Sequence, residues 1–191
     1  MAGRGLVRAA LCALALSVGG TPAAAVERVV HARPGALAEA VAGASPGDVL
    51  ILAPGRHDGP VTLDRPLTLD GRGAAEIRGN GTGDVIRVTG PDVTVRGLTI
   101  TGSGSEHPVV DAGVKLDRTA TRTLVEDNRL IGNLVGVHVL GATDSTIRAN
   151  VIEGRRGHRM NDRGNGIYVW NAPGTLVEDN DIRWGRDGIF A

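Results

Sequence analysis

The sequence predicts an all-β chain wound as a single-stranded parallel β-helix. Two recurring phrases predict it. The first reads Val95-x-x-Leu98-x-Ile100, Val125-x-x-Asn128-x-Leu130, Ile147-x-x-Asn150-x-Ile152 and Val177-x-x-Asn180-x-Ile182, in steps of 30, 22 and 30 residues. The second follows it each time, opening on Gly113, Gly136, Gly166 and Gly188. A strand-rich unit of this size cannot bury its own apolar face and must stack on its neighbours. The third observation is compositional. Aromatics are only 2% against 41% hydrophobic residues, and there are 29 glycines. Such a core is built from Val, Ile and Leu, with a turn every few residues.

Taken in order, residues 1–25 read as a secretory signal peptide. Arg4 and Arg8 precede the apolar run Leu6 to Val18, and Ala23-Ala24-Ala25 offers a cleavage site. The chain is therefore expected to be exported to the periplasm. The mature domain is expected over residues 26–191. Cys12, the single cysteine, leaves with the signal, so no disulfide staples are expected. Lys and Arg total 21, Asp and Glu 21. Losing two arginines with the signal leaves a near-neutral chain, which gives no electrostatic reason to expect nucleic acid. Membrane contact is expected only through partners.

A helix is predicted over residues 33–44. Leu37 and Val41 stand four apart among alanines, with Pro34 near the start and Ser45-Pro46-Gly47-Asp48 at the end. Its place is over the apolar first turn, whose strand edge would otherwise lie open. From Val49 onward the runs are short and alternate with period two, at three to five residues each and three to a turn. In this register Asn128, Asn150 and Asn180 stack as an inward ladder at one bend, each amide able to bond those above and below.

Turn length varies at one corner. Ile100 to Gly113 and Ile152 to Gly166 are long, while Leu130 to Gly136 and Ile182 to Gly188 are short. Two loops, 101–112 and 153–165, are thus expected on one flank, where function usually resides. The first carries Glu106, His107 and Asp111. The second carries Arg155, Arg156, His158, Arg159 and Arg163, with Asp162 as the one acid between Gly154 and Arg163. Their opposite charges suggest a docking surface for a partner, or a pair of solvated loops bridged to each other. His158 and Met160, with His107, are the candidate ligands for Cu(I), which favours imidazole and thioether. Lys115, His138, Tyr168 and Phe190 form an outward column, joined late in the chain by Trp170 and Trp184. This column suggests either a sugar-stacking groove or a sheet face covered by a loop. A polysaccharide lyase or epimerase would add facing carboxylates to a base and a cation, and none repeats with Lys115 and His138. The glycine strings at 71–73 and 79–83 precede strands, so they are not phosphate loops.

The stretches "GDVLILAPGRHDGPVTLDRPLTLDGRG", "PDVTVRGLTITGSG", "RGNGIYVWNAPGTLVEDNDI" and "GRDGIF" closely resemble the NosD family of nitrous oxide reductase maturation proteins. The resemblance runs over residues 27–191. It implies a right-handed β-helix acting with an ABC-type ATPase and permease and a copper chaperone. Their joint task is to assemble the copper–sulfur cluster of nitrous oxide reductase. It implies no catalytic residues. Members of this family run on for more turns, so a C-terminal truncation is expected. A polysaccharide-binding protein, lyase or C5-epimerase is the alternative the fold allows.

Overall fold

The computed structural model describes residues 25–191; the expected signal peptide lies almost wholly outside the described residues. Strands follow one another around a three-sided coil, each hydrogen-bonded in parallel to its equivalent one turn later. The first face stacks Glu27–Val30, Val49–Leu52, the leading parts of Thr68–Arg78 and Thr94–Thr101, then Leu124–Glu126, Thr146–Arg148 and Leu176–Glu178. The second stacks Gly55–Asp58, the trailing parts of the same two long strands, Arg129–Ile131, Val151–Glu153 and Asp181–Arg183. The third stacks Val61–Leu63, Ile86–Val88, Ala112–Leu116, Val135–Leu140, Ile167–Trp170 and Ile189–Phe190.

Three strands are longer than the expected three to five residues, Val135–Leu140 by a single residue and two others by more. Thr68–Arg78 and Thr94–Thr101 run unbroken around the corner between the first two faces. Their bends use residues that reach positive φ, Arg72 and Gly73 in one and Gly97 in the other, so pairing continues on both sides of the bend. Later turns break at that corner. There Asp127, Ala149 and Asp179 take φ between 53° and 55°, each followed by an asparagine.

Those asparagines hold the corner. Asn128 donates from Nδ2 to Asn150 Oδ1 (3.0 Å), and Asn150 from Nδ2 to Asn180 Oδ1 (2.9 Å). The backbone N–H of Asn128 donates to Asn150 Oδ1, and that of Asn150 to Asn180 Oδ1. Asn128 and Asn150 are 1% exposed, so each bond satisfies a group that has no water. Leu98 takes the same position one turn earlier, and its N–H donates to Asn128 Oδ1. A second asparagine, Asn133, works alike at the next corner. It accepts from Ser103 N and donates to the Ile100 carbonyl.

Inside the coil like residues sit on like. Val61, Ile86, Val114, Val137 and Ile167 form one file, and Ile77, Ile100, Leu130 and Ile152 another, all nearly inaccessible. Burying each such side chain contributes roughly 1.5–3 kcal/mol. The recurring glycines let these files close. A Cβ on Gly136 would stand 2.5 Å from Ile152 Cγ2 and 2.5 Å from the Gly166 carbonyl. Outside, the first face alternates charge up the stack: Asp70, Arg96, Glu126, Arg148, Glu178. Arg96–Asp70 and Arg148–Glu126 meet at 2.9 and 2.7 Å. A one-residue slip would turn these charges inward, so they reinforce register.

The helix spans Ala36–Ala42, shorter at both ends than expected. Gly35 enters it at φ 73° and Gly43 ends it. Ala36, Leu37 and Val41 are buried against the first strands, closing that end of the core. Asp48 ties the cap down by accepting from Ser45 N, Arg28 Nη2 and Val26 N. Those bonds, Ser45's first, lower its pKa to about 2.

Replacing Asn150 with Ala removes both rungs it makes and strands buried donors. Unfolding in urea should show a loss of about 2–4 kcal/mol. Arg148→Ala, on the solvated first face, should leave the midpoint almost unmoved.

Candidate functional site

The two long loops leave the coil at the same corner, between the second and third faces, as the spacing predicts. One side chain joins them. Arg155 donates from Nη2 to the Gly104 carbonyl (2.6 Å), from Nη1 to Ser105 Oγ (2.8 Å) and from Nε to the Gly132 carbonyl (3.2 Å). A single guanidinium thus ties three successive turns. Burial pushes its pKa down, opposed by the charge of Asp111. The expected charge bridge between the loops is absent among the described residues. Backbone carbonyls and a hydroxyl take the place of Glu106 and Asp111.

Loop 154–166 is also braced from within. Arg163 donates to the carbonyls of His158 and Arg156 (2.9 and 3.0 Å), across the short turn Met160–Asp162. Of the four arginines expected at a docking surface, Arg155 and Arg163 are therefore engaged in holding the loop, while Arg156 and Arg159 are exposed. The Arg156 guanidinium lies over the Trp184 ring at 4.7 Å. Ile131, Glu153, Arg155, Arg156, His158 and Trp184 enclose an open hollow of about 470 Å³.

Loop 102–111 folds back as a strap over the third face. The expected outward column exists in register: Thr62, Arg87, Lys115, His138, Tyr168, Phe190. Its middle is covered. Lys115 donates from Nζ to the Val109 carbonyl (2.8 Å), and Lys115 and His138 are 7% and 3% exposed. Asp111 is buried as well, accepting from Glu106 N (2.9 Å), so only Glu106 and His107 of the three expected docking residues face solvent. Val110 bends the strap at φ 57°, a costly conformation for a β-branched residue.

Facing carboxylates are present here after all. Asp84 lies 3.8 Å from Lys115 and accepts from Ala112 N. Burial raises its pKa, against the pull of Lys115, and Asp111 adds a smaller push upward. Sequence reading missed Asp84 because it stands in the turn before its strand, outside both recurring phrases. His138 stacks on Tyr168 at 4.9 Å and 5° between planes, with neither ring nitrogen hydrogen-bonded. Burial, then Lys115, lowers its pKa to about 4. The imidazole is thus neutral beside the Lys115 cation, while the two carboxylates line a hollow with Lys115, Thr62 and Arg87. The strap keeps the imidazole from anything lying on that face.

The candidate copper ligands do not converge. His107 lines a hollow of about 240 Å³ with Val110, Tyr168, Arg186 and Phe190. His158 lines the separate hollow beside Trp184, and Met160 points to solvent at 63% exposure. Among the described residues no three or more His, Cys, Asp or Glu side chains group closely enough to hold a metal ion.

Stacked parallel strands on three faces, with loops at one corner, have clear relatives. The profile of the family described as "Right handed beta helix region" matches residues 76–191. The chain belongs to the right-handed β-helix family. Within it, the chain is 35% identical over 137 residues to a protein called "Probable ABC transporter binding protein NosD" from Stutzerimonas stutzeri. It is 34% identical over 137 residues to the protein of the same name from Pseudomonas aeruginosa. These alignments take in 72% of the chain but 31% and 32% of the relatives, so the chain spans about a third of their length. The expected resemblance to NosD holds over that stretch. Among solved β-helices, an alginate lyase from Paenibacillus sp. str. FPU-7 superposes with TM-score 0.60 at 23% identity, over 78% of this chain and 58% of that one. The alginate lyase AlyGC superposes with TM-score 0.51 at 15% identity, over 86% and 30%. At these identities the likeness is one of fold.

His138 makes stability depend on pH with a definite sign. Its pKa falls from 6.5 to about 4 on folding. The unfolded chain therefore binds a proton that the folded chain refuses. Stability is fully present above pH 6.5 and is lost as pH falls toward 4, by at most about 1.4 kcal/mol per pH unit. His138→Phe keeps a ring on Tyr168 without the titration. The stability difference between wild type and variant should change over that window, and a constant difference would refute the assignment. Arg155→Ala should release both loops together, seen as faster amide exchange at 102–111 and 154–166 with the strand faces unaffected.

Proposed function

We propose that this chain is part of an exported, non-enzymatic accessory protein of NosD type. It works beside an ABC transporter in maturing nitrous oxide reductase, and the cargo of that work is the copper–sulfur cluster. The observation that carries this reading is the identity of about 35% over 72% of the chain to proteins named for binding an ABC transporter. The signal-like residues 1–25 support action in the periplasm. The geometry supports an adaptor better than a copper carrier. Its imidazoles line separate hollows, and arginines crowd the one that holds His158. A copper chaperone and the reductase itself are the further partners of this reading.

The rival reading is a polysaccharide-binding protein, lyase or C5-epimerase. One observation favours it: Lys115, His138, Asp84 and Asp111 lie together on the third face, and the face carries Tyr168 and Phe190. Against it stands the strap, which covers the only base and cation of that set.

Deleting the gene in its source organism separates the two. The accessory reading expects reductase polypeptide without its copper–sulfur chromophore, with nitrous oxide accumulating, and co-purification of the tagged protein with transporter subunits. A fully loaded reductase in the deletion strain would overturn it. Unsaturated products from uronate polymers incubated with the purified protein would establish the rival.

A further inference from the structure

Many arginines on the strand faces are paired: Arg96 with Asp70, Arg148 with Glu126, Arg87 with Asp117, Arg183 with Asp181. Unpaired arginines on the strands are scattered, at Arg56, Arg72 and Arg78. On loop 154–166 four unpaired arginines fall within nine residues. Among the described residues Arg155, Arg156, Arg159 and Arg163 have no carboxylate within salt-bridge distance, although Asp162 belongs to the same loop. The result is a local excess of positive charge on a chain whose formal net charge is zero.

We propose that this loop docks an acidic segment of a partner protein, with one apolar side chain of that segment seated between Ile131 and Trp184. The accessory-protein reading supplies the partner's identity; the surface itself rests on geometry. First, the loop is already in shape. Arg155 and Arg163 fasten it through five hydrogen bonds to carbonyls and a hydroxyl, so docking costs little ordering entropy. Second, Arg155 is part-buried and hydrogen-bonds only neutral oxygens, with Asp111 reaching it through charge alone. An incoming carboxylate would offset that desolvation. Third, the hollow pairs charge with an apolar floor: Arg156 covers Trp184, beside Ile131. Arginine and tryptophan are the side chains that most often carry binding energy. Fourth, Trp184 is held at φ 56°, a strained conformation for a bulky residue. Such strain concentrates at binding sites.

Charge balance selects the occupant. Nucleic acid and anionic membranes are recognised by a basic face that extends over many contacts. Here the four arginines are concentrated on one loop, and the second face beside it carries both signs, with Asp58 next to Arg78 and Glu153 next to Arg183. A short acidic segment fits that concentration.

The test uses the full chain carrying Trp170→Phe, which leaves Trp184 as the sole tryptophan. The probe is a synthetic glutamate-rich peptide with one leucine. Binding should shift Trp184 emission and weaken about tenfold as ionic strength rises from about 0.05 to 0.3 M. Arg156→Glu with Arg159→Glu should weaken it at least tenfold further, with an unchanged far-ultraviolet dichroism spectrum. The milder Arg156→Gln with Arg159→Gln should fall between. Unchanged binding in both double variants would overturn the proposal. So would Trp184 responding to phosphatidylglycerol vesicles or inorganic phosphate but not to the peptide. Peptide binding alongside a normal reductase in the deletion strain would sustain the surface and overturn only the accessory reading.

Discussion

Each strand in this molecule is completed by the strand one turn above it. A single turn offers its backbone donors and acceptors up and down the axis and can satisfy neither alone. The stack is therefore in register, at roughly 4.8 Å per turn, and every side chain meets its own equivalent. Valine files on isoleucine in the core, asparagine on asparagine at the corner, and acid on base along the first face. The glycines belong to the same constraint. At Gly136 and Gly166 the next turn passes so close that no side chain fits between them.

That constraint leaves the corners as the place where the chain can vary. Ladder asparagines hold one corner rigidly. The corner between the second and third faces admits insertions on alternate turns, and both insertions became built structures. One folds over the third face and removes Lys115 and His138 from solvent. The other stands out with Arg156 and Arg159 exposed. Arg155 couples the two across the turn between them. A rigid coil with one elaborated corner suits a protein that positions other molecules.

Periodicity made the coil legible. Val125, Ile147 and Val177 share a column because they share a place in a phrase, and Asn128, Asn150 and Asn180 were readable as a ladder for the same reason. The helix was legible from Leu37 and Val41, although Gly35 and Gly43 trimmed it. The site was legible only in outline. Loop lengths showed which corner to look at, but composition misjudged how the charges are used. Asp111 turned inward to a backbone N–H, Arg155 chose carbonyls over carboxylates, and Asp84 entered the site from an unpatterned turn. None of these choices is periodic, so no phrase could carry them.

By itself the sequence determined the architecture, the register and the flank that bears the loops. Each follows from repeated spacing, and repeated spacing survives in one dimension. Tertiary structure alone decided which charged groups are free. A guanidinium or carboxylate settles that by the partners within about 3 Å of it. Those partners here come from turns far apart in the chain, as Arg155 and Gly104 do. Burial of His138 was decided in the same way. Its column points outward by alternation, and only the folded strap determines that no water reaches it.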